Sequence, residues 1–162
     1  FHEVGVTSAS RISELAALPS LMVMVGAVVF RLLGSQPNGV QLGSFLLLLG
    51  AGLVMMGLAD NPAQVIAGIV VQQVGIGMSV PALIAWAQSK LTFAHRGRGM
   101  GIWTASFFLG QFLSPWVAAR IENVTGTVQG AFAIGGCAAL AAALIGYLSA
   151  LRGRAAASHA SA

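Results

Sequence analysis

The chain has 162 residues, of which 57% are hydrophobic and only 7% are charged. Soluble domains carry roughly 25% charged residues, so this composition excludes an ordinary soluble domain, and its apolar content excludes a disordered chain. The single cysteine, Cys137, excludes a disulfide framework and a cysteine-built metal site within one chain. The sequence therefore predicts an all-α, polytopic membrane protein.

Long gaps between charged residues predict five transmembrane helices, because a helix needs roughly 20 apolar residues to cross the hydrocarbon core. They form one helical bundle over residues 1–152, with helices at about 9–33, 41–59, 62–89, 98–121 and 126–151. Residues 153–162 are small and polar, and we expect them to be a disordered cytoplasmic tail.

The start of the sequence indicates a fragment. Phe1 is not an initiator methionine, and no basic segment precedes a short apolar core, so no signal peptide is predicted. We expect the chain to be one part of a longer membrane protein.

The helix predicted at 41–59 and the last helix, at 126–151, carry few polar residues at their centres. Both can face lipid on a broad side. Their glycines favour close packing against a neighbouring helix over any other role.

The predicted helix at 62–89 is the most polar. It carries Gln72, Gln73 and Ser79. A side-chain amide in hydrocarbon is costly unless it is paired or faces water, so at least one glutamine must face protein or a cavity. Two interpretations have equal weight: a helix that lines a transport cavity, and a helix whose glutamines only bond a neighbouring helix.

The same helix is expected to be broken or flexible near its middle. Pro81 frees the carbonyl of Gly77, and Gly75 lies just before it. The bend is either part of a transport cycle or a static kink.

The predicted helix at 98–121 has a stripe of small residues. They recur every fourth position, at Ser106, Gly110, Ser114 and Ala118, and allow another helix to pack closely. Gln111 adjoins this small-residue stripe near mid-helix, and Pro115 crowds the Gln111 carbonyl.

The charges are sorted between the two sides of the predicted membrane. Counting alternate helix ends places six of the eight Lys and Arg residues on the C-terminal side: Arg31, Lys90, Arg96, Arg98, Arg152 and Arg154. The acidic residues fall on the other side: Glu3, Glu14, Asp60 and Glu122. Because short cytoplasmic loops collect Lys and Arg, we predict an outside N-terminus and a cytoplasmic C-terminus.

No residue set favours an enzyme. No acid lies deep in a predicted span, no histidine pair has metal-ligand spacing, and Cys137 has no His or Lys near it in sequence. We expect no catalytic residue, no metal and no cofactor. A nucleic-acid partner is not expected either, since almost no charged aqueous surface is predicted.

The residues from Phe93 to Pro115 (FAHRGRGMGIWTASFFLGQFLSP) resemble a segment of major facilitator superfamily transporters, namely the loop between the tenth and eleventh helices and the eleventh helix. The opening residues 4–14 resemble the outside link that enters the eighth helix. So aligned, the five helices are similar to the eighth to twelfth of a twelve-helix protein.

This resemblance implies a role for each helix. The helix at 62–89 would line the central cavity, and the helix at 98–121 would contact the other half of the protein and rock during alternating access. The most apolar pair would lie toward lipid. Cavity candidates are then Gln72, Gln73 and Ser79, with Gln111 second. Arg31, Arg96 and Arg98 would belong to the cytoplasmic loops and gate.

Two features depart from the family pattern. The basic signature after the eighth helix is reduced to Arg31-Leu-Leu-Gly34, with no acid partner for locking by a charge relay. No acid lies inside a predicted span, so a coupling acid is in the missing part or the transporter is a facilitator.

The sequence thus predicts the C-terminal part of a secondary active transporter for an unidentified small molecule, in a bacterial inner membrane. Its partners would be the lipid bilayer, the substrate and the missing N-terminal helices. The alternative is a membrane scaffold or accessory subunit that transports nothing, whose polar residues only hold helices together.

Overall fold

The computed structural model describes residue 17 and residues 19–160, with side chains as far as Arg152. These residues contain no strand, which confirms the all-α fold class. The helices are α1 (Met22–Leu32), α2 (Asn38–Gly57), α3 (Pro62–Ser89), α4 (Arg96–Thr125) and α5 (Val128–Ala160), with a short 3-10 helix at Phe93–His95 before α4.

The first two helices differ from their predicted bounds. A turn at Leu21 precedes α1, and the part of the predicted 9–33 helix before residue 17 lies outside the described residues. Helix α2 begins at Asn38 and not near 41. The reason is Pro37, whose carbonyl accepts hydrogen bonds from the amides of Val40 (2.9 Å) and Gln41 (3.2 Å) and so starts the helix earlier.

Helix α3 has the bounds that the sequence analysis gave, 62–89. The Asn61 side chain accepts a hydrogen bond from the Gln64 amide at 3.0 Å and caps the helix ahead of Pro62. The helix was expected to be broken or flexible near Pro81. It is not broken, because α3 is one continuous helix, and its flexibility stays a prediction. A proline removes one intrahelical donor, and the remaining backbone hydrogen bonds continue the helix past it.

The last two helices are longer than predicted. Helix α4 extends to Thr125 and ends at Gly126, whose φ of 77° is a left-handed conformation that glycine adopts without strain. Helix α5 continues to Ala160, through most of the segment expected to be a disordered tail. The alanines at 155–157 have the highest helix propensity of any residue and extend the helix.

Helix α2 lies at the centre of the bundle and packs against α3 and α5, while α1 packs against α3. One buried cluster joins α2 to α3 through Phe45, Met78 and Ala82. A second lies at the other end of α2, between Met56, Ala59 and Val65. Helix α4 has no buried residue at all.

The contact between α2 and α5 is made by glycines on one face of α2. A Cβ atom on Gly50 would lie 2.9 Å from the Gly136 carbonyl oxygen, and one on Gly57 would lie 2.7 Å from the Ala133 amide nitrogen. A Cβ on Gly43 would lie 3.0 Å from the Tyr147 ring. The two backbones therefore touch along most of α2, as small residues allow in membranes.

In the described part of the chain, three helices are long and apolar enough to cross a membrane: α2, α3 and residues 128–152 of α5. Helix α1 is apolar but has only 11 described residues. Helix α4 has 30 residues, and its charged and polar side chains make it less apolar than the others.

Candidate functional site

The two glutamines of α3 lie in different surroundings. Gln72 lies where α3 crosses α2. A Cβ on Gly52 would come within 2.5 Å of the Gln72 backbone nitrogen and 2.6 Å of the Gly68 backbone carbonyl oxygen. The backbones touch at this point. Gln72 is therefore on the packed face of α3.

Gln73 lies about 100° further around the helix. It shares its side of α3 with Val80, which is 41% exposed. Both glutamines are half-buried, and within the described residues neither side chain makes a hydrogen bond. The structure thus separates a packed glutamine from one on the less covered side.

Ser79 is engaged within its own helix. Its hydroxyl donates a hydrogen bond to the Ile76 carbonyl at 2.7 Å, and its side chain is half-buried. This bond satisfies the hydroxyl locally. Ser79 lies two turns after Gln72 and so close to the same face of α3.

The glycines expected to bend α3 are contact points for other helices. A Cβ on Gly75 would lie 2.7 Å from the Leu49 amide nitrogen of α2. A Cβ on Gly77 would overlap the Val23 carbonyl oxygen, and Gly26 of α1 lies directly opposite. Only glycine fits at the crossing of α1 and α3.

The small-residue stripe of α4 is exposed, and at Gly110 no neighbour covers it in the described part of the chain. No atom lies within 4 Å of a Cβ built on Gly110, and residues 108–120 are all exposed, Gln111 among them. The Ser106 hydroxyl donates to the Ile102 carbonyl of its own helix at 2.9 Å. Pro115 lies inside a continuous helix. Gln111 is not brought together with the polar residues of α3.

The three arginines assigned to the cytoplasmic loops are all exposed. Arg31 lies in the last turn of α1. Arg96 begins α4, with its guanidinium carbon 5.8 Å from the centre of the Phe93 ring. Arg98 follows two residues later. Within the described residues none of them forms an ion pair.

Sequence reasoning missed a polar contact at the start of α2. The Gln41 side chain is 5% exposed, and its amide nitrogen donates to the carbonyls of Leu33 (3.2 Å), Gly34 (3.4 Å) and Gln36 (3.0 Å). These carbonyls follow the end of α1, where a helix leaves acceptors unpaired. Gln41 therefore fixes the link between α1 and α2.

Three further polar contacts join different helices and were also missed. Asn38 donates to the Ser89 hydroxyl at 2.9 Å, and Gln129 donates to the Ala59 carbonyl at 2.7 Å. The Ser44 and Tyr147 hydroxyls lie 2.9 Å apart. A polar residue near the end of each predicted helix was the available signal, but sequence alone does not pair them.

The described residues contain no group of three His, Cys, Asp or Glu side chains that could hold a metal ion. The arrangement is one of packed glycines, half-buried amides on α3 and one uncovered helix.

Comparison with known proteins gives two matches. The family model described as Major Facilitator Superfamily matches residues 2–161. A protein described as "Probable inositol transporter 2", from Arabidopsis thaliana, is 31% identical over 131 residues, which cover 74% of this chain and 21% of the relative. The chain thus spans about a fifth of the length of that relative. No solved structure gives a significant match.

Proposed function

Because the chain belongs to the Major Facilitator Superfamily, we propose that it forms the C-terminal part of a secondary active transporter, which moves a small molecule by alternating access. It is an integral, multi-pass membrane protein, with helices apolar and long enough to span the bilayer. In many transporters the substrate binds near the bilayer midplane between two halves, and this chain would supply one wall of such a site.

The observation that carries the proposal is the placement of Gln73. An amide on the less covered side of α3, unpaired among the described residues, needs a polar environment that lipid does not provide. A water-filled cavity supplies that environment. Gln73 is accordingly the first cavity candidate, and Gln72, at the α2 crossing, comes after it.

The uncovered α4 supports the second part of the proposal, a partner from elsewhere in the same protein. Its small-residue stripe is of the kind that brings two helices into close contact. No described helix occupies it at Gly110. We assign this contact to the helices of the longer protein.

The orientation is also a proposal. Arg31, Arg96 and Arg98 lie at helix ends on one side, and Asp60 and Glu122 lie at the ends on the other. The excess of Lys and Arg supports a cytoplasmic location for the first group and a cytoplasmic C-terminus. A bacterial inner membrane is the location we propose.

For the substrate we propose a small polar solute. The half-buried amides of α3 are donors and acceptors suited to hydroxyl groups. The relative's description makes inositol the first solute to test.

The test is uptake of labelled inositol, and of a panel of small polyols, by cells that express the longest reading frame containing this chain. Gln73→Leu is expected to lower the initial rate about tenfold at equal surface expression, and Gln72→Leu to lower it less. The matched control is Gln88→Leu, since Gln88 is exposed in the last turn of α3.

Unchanged uptake in both the Gln72 and Gln73 variants would remove these residues from the cavity. A reading frame with no further membrane spans, together with no uptake of any solute, would favour the non-transporting scaffold.

A further inference from the structure

The turn between α3 and α4 carries a dense group of exposed basic side chains. Lys90, His95, Arg96 and Arg98 are all exposed, and we call them, with Phe93, the basic turn. No Asp or Glu occurs in the sequence between Asp60 and Glu122. No described carboxylate pairs with these basic side chains. Their charge is therefore unbalanced within the described part of the chain.

The basic turn also presents an aromatic ring. Phe93 is 85% exposed and begins the short 3-10 helix. A contact of 2.8 Å between the Thr92 hydroxyl and His95 Nδ1 closes this turn. The Arg96 guanidinium carbon lies 5.8 Å from the Phe93 ring centre. The structure thus holds an apolar ring and a cation side by side.

The position of the basic turn indicates where the Phe93 and Arg96 pair lies relative to the membrane. It joins the end of a 28-residue helix to the start of a 30-residue helix, and both are long enough to reach from one headgroup layer to the other. Exposed aromatic rings beside Lys and Arg are typical of segments that lie at the boundary between headgroups and acyl chains.

We propose that the basic turn is a binding site for anionic phospholipid. Lys90, Arg96 and Arg98 bind the headgroup phosphates, and Phe93 lies among the upper acyl chains. Charge complementarity favours an anionic over a zwitterionic lipid, because Lys and Arg near an anionic surface each add attraction. Lipid binding at this site needs only the membrane-embedded chain, so it can be measured without a transport assay.

The opposite end of α4 provides a matched comparison. There the Arg120 guanidinium carbon lies 5.2 Å from the Trp116 ring centre, the same kind of pair on the same helix. That end also has Asp60 and Glu122 close in sequence to helix ends, so the described charges there, with Arg120, sum to −1 and not to a positive excess. It should show no preference for anionic lipid.

The experiment measures the binding of labelled phosphatidylglycerol, against phosphatidylcholine, to the full chain in mixed micelles. The double variant Arg96→Gln/Arg98→Gln is expected to lower the preference for phosphatidylglycerol by about tenfold or more. Arg120→Gln should leave the preference within about twofold of the unchanged chain. Phe93→Ala should weaken the binding of both lipids. Equal unfolding temperatures in detergent would show that the variants are folded.

Two competitors distinguish a phospholipid from other negatively charged ligands that the basic turn could bind. Millimolar inorganic phosphate should not displace the lipid if acyl-chain contacts matter, and an acidic peptide should not displace it either. Displacement by either competitor would overturn the phospholipid assignment. So would an unchanged preference in the double arginine variant, or an equal loss in Arg120→Gln.

Discussion

Helices α2 and α4 use small residues in the same way in sequence, but they lie in opposite surroundings. On α2, the glycines at 43, 50 and 57 contact α5, and Gly52 contacts α3. On α4, Gly101 and Gly110 have no neighbour within 4 Å of a built Cβ. The difference shows that a stripe of small residues predicts close packing against another helix, but it does not show whether that helix is in the described chain.

Helices α2 and α4 also differ in the polar contacts that hold them to the rest of the chain. Helix α2 is fastened at both ends by polar contacts, through Gln41 and Asn38 at its start and through the Ala59 carbonyl just beyond its end. Among the described residues, the side-chain hydrogen bonds of α4 are local ones, from the Ser106 and Thr125 hydroxyls to nearby backbone carbonyls. A fixed helix and an unfixed one therefore coexist in a single small bundle.

The largest effect is expected from Gly52→Leu. Its Cβ would lie 2.5 Å from the Gln72 amide nitrogen and 2.6 Å from the Gly68 carbonyl oxygen, so two backbones must separate. We expect a loss of about 3 kcal/mol in the free energy of unfolding, as in overpacked cores. Chemical unfolding of the chain in detergent micelles measures it. A loss below 1 kcal/mol, roughly the scale of a single hydrogen bond, would contradict the close α2–α3 crossing.

A smaller effect is expected from Gln129→Met, which keeps the side-chain length but removes the donor to the Ala59 carbonyl. The present distance is 2.7 Å, in a part-buried position. A net loss of about 1 kcal/mol in unfolding free energy follows from one broken hydrogen bond. Gln88→Met, at an exposed site, is the control and should change nothing. Equal losses in both variants would mean that the α2–α5 link contributes nothing specific.

The contact between Ser44 and Tyr147 is expected to contribute less. Hydrogen bonds between helices in membranes average about 0.6 kcal/mol in double-mutant cycles. Tyr147→Phe, Ser44→Ala and the double variant complete such a cycle for the 2.9 Å contact. We expect a coupling energy of about 0.6 kcal/mol. A coupling of zero would assign Tyr147 to packing on Gly43 alone.

The smallest effect sharpens the comparison most. Gly110→Leu adds a side chain where nothing lies within 4 Å, so the unfolding free energy of this chain should change by less than about 0.5 kcal/mol, or rise slightly through better helix propensity. In the longer protein the same substitution should lower transport if, as proposed, other helices of that protein cover the stripe. A large loss in the 162-residue chain would show that α4 packs more closely than the structure indicates.

Much of the helical architecture could be predicted from the charge gaps, because burying a charge in lipid is costly at any position. Helix α3 begins at Pro62 as expected, since Asn61 and Pro62 form a strong local start signal. The start of α2 was wrong because Pro37 both ends a turn and begins a helix, and the local sequence does not distinguish the two. Helix α5 continues past Arg152 because alanines there favour a helix. In the sequence, the same small residues among polar ones had indicated a disordered tail.

The candidate site was harder to predict, because it depends on which face of α3 is covered. Gln72 and Gln73 are equivalent in the sequence, and only the position of Gly52 on a different helix tells them apart. The same holds for Gly77, whose role in bending was inferred from Pro81 but whose neighbours are Val23 and Gly26 of α1. Contacts between distant segments carry this information, and a periodic pattern does not.

The direct backbone contacts described for α2 have a mechanical consequence. Where glycine faces a carbonyl oxygen, as Gly50 faces Gly136, no layer of flexible side chains remains that could shear or change rotamer. Helices α2, α3 and α5 should then move as one rigid body. Any rearrangement between two conformations would be concentrated at two hinges, the link before α4 and the turn at Gly126 after it.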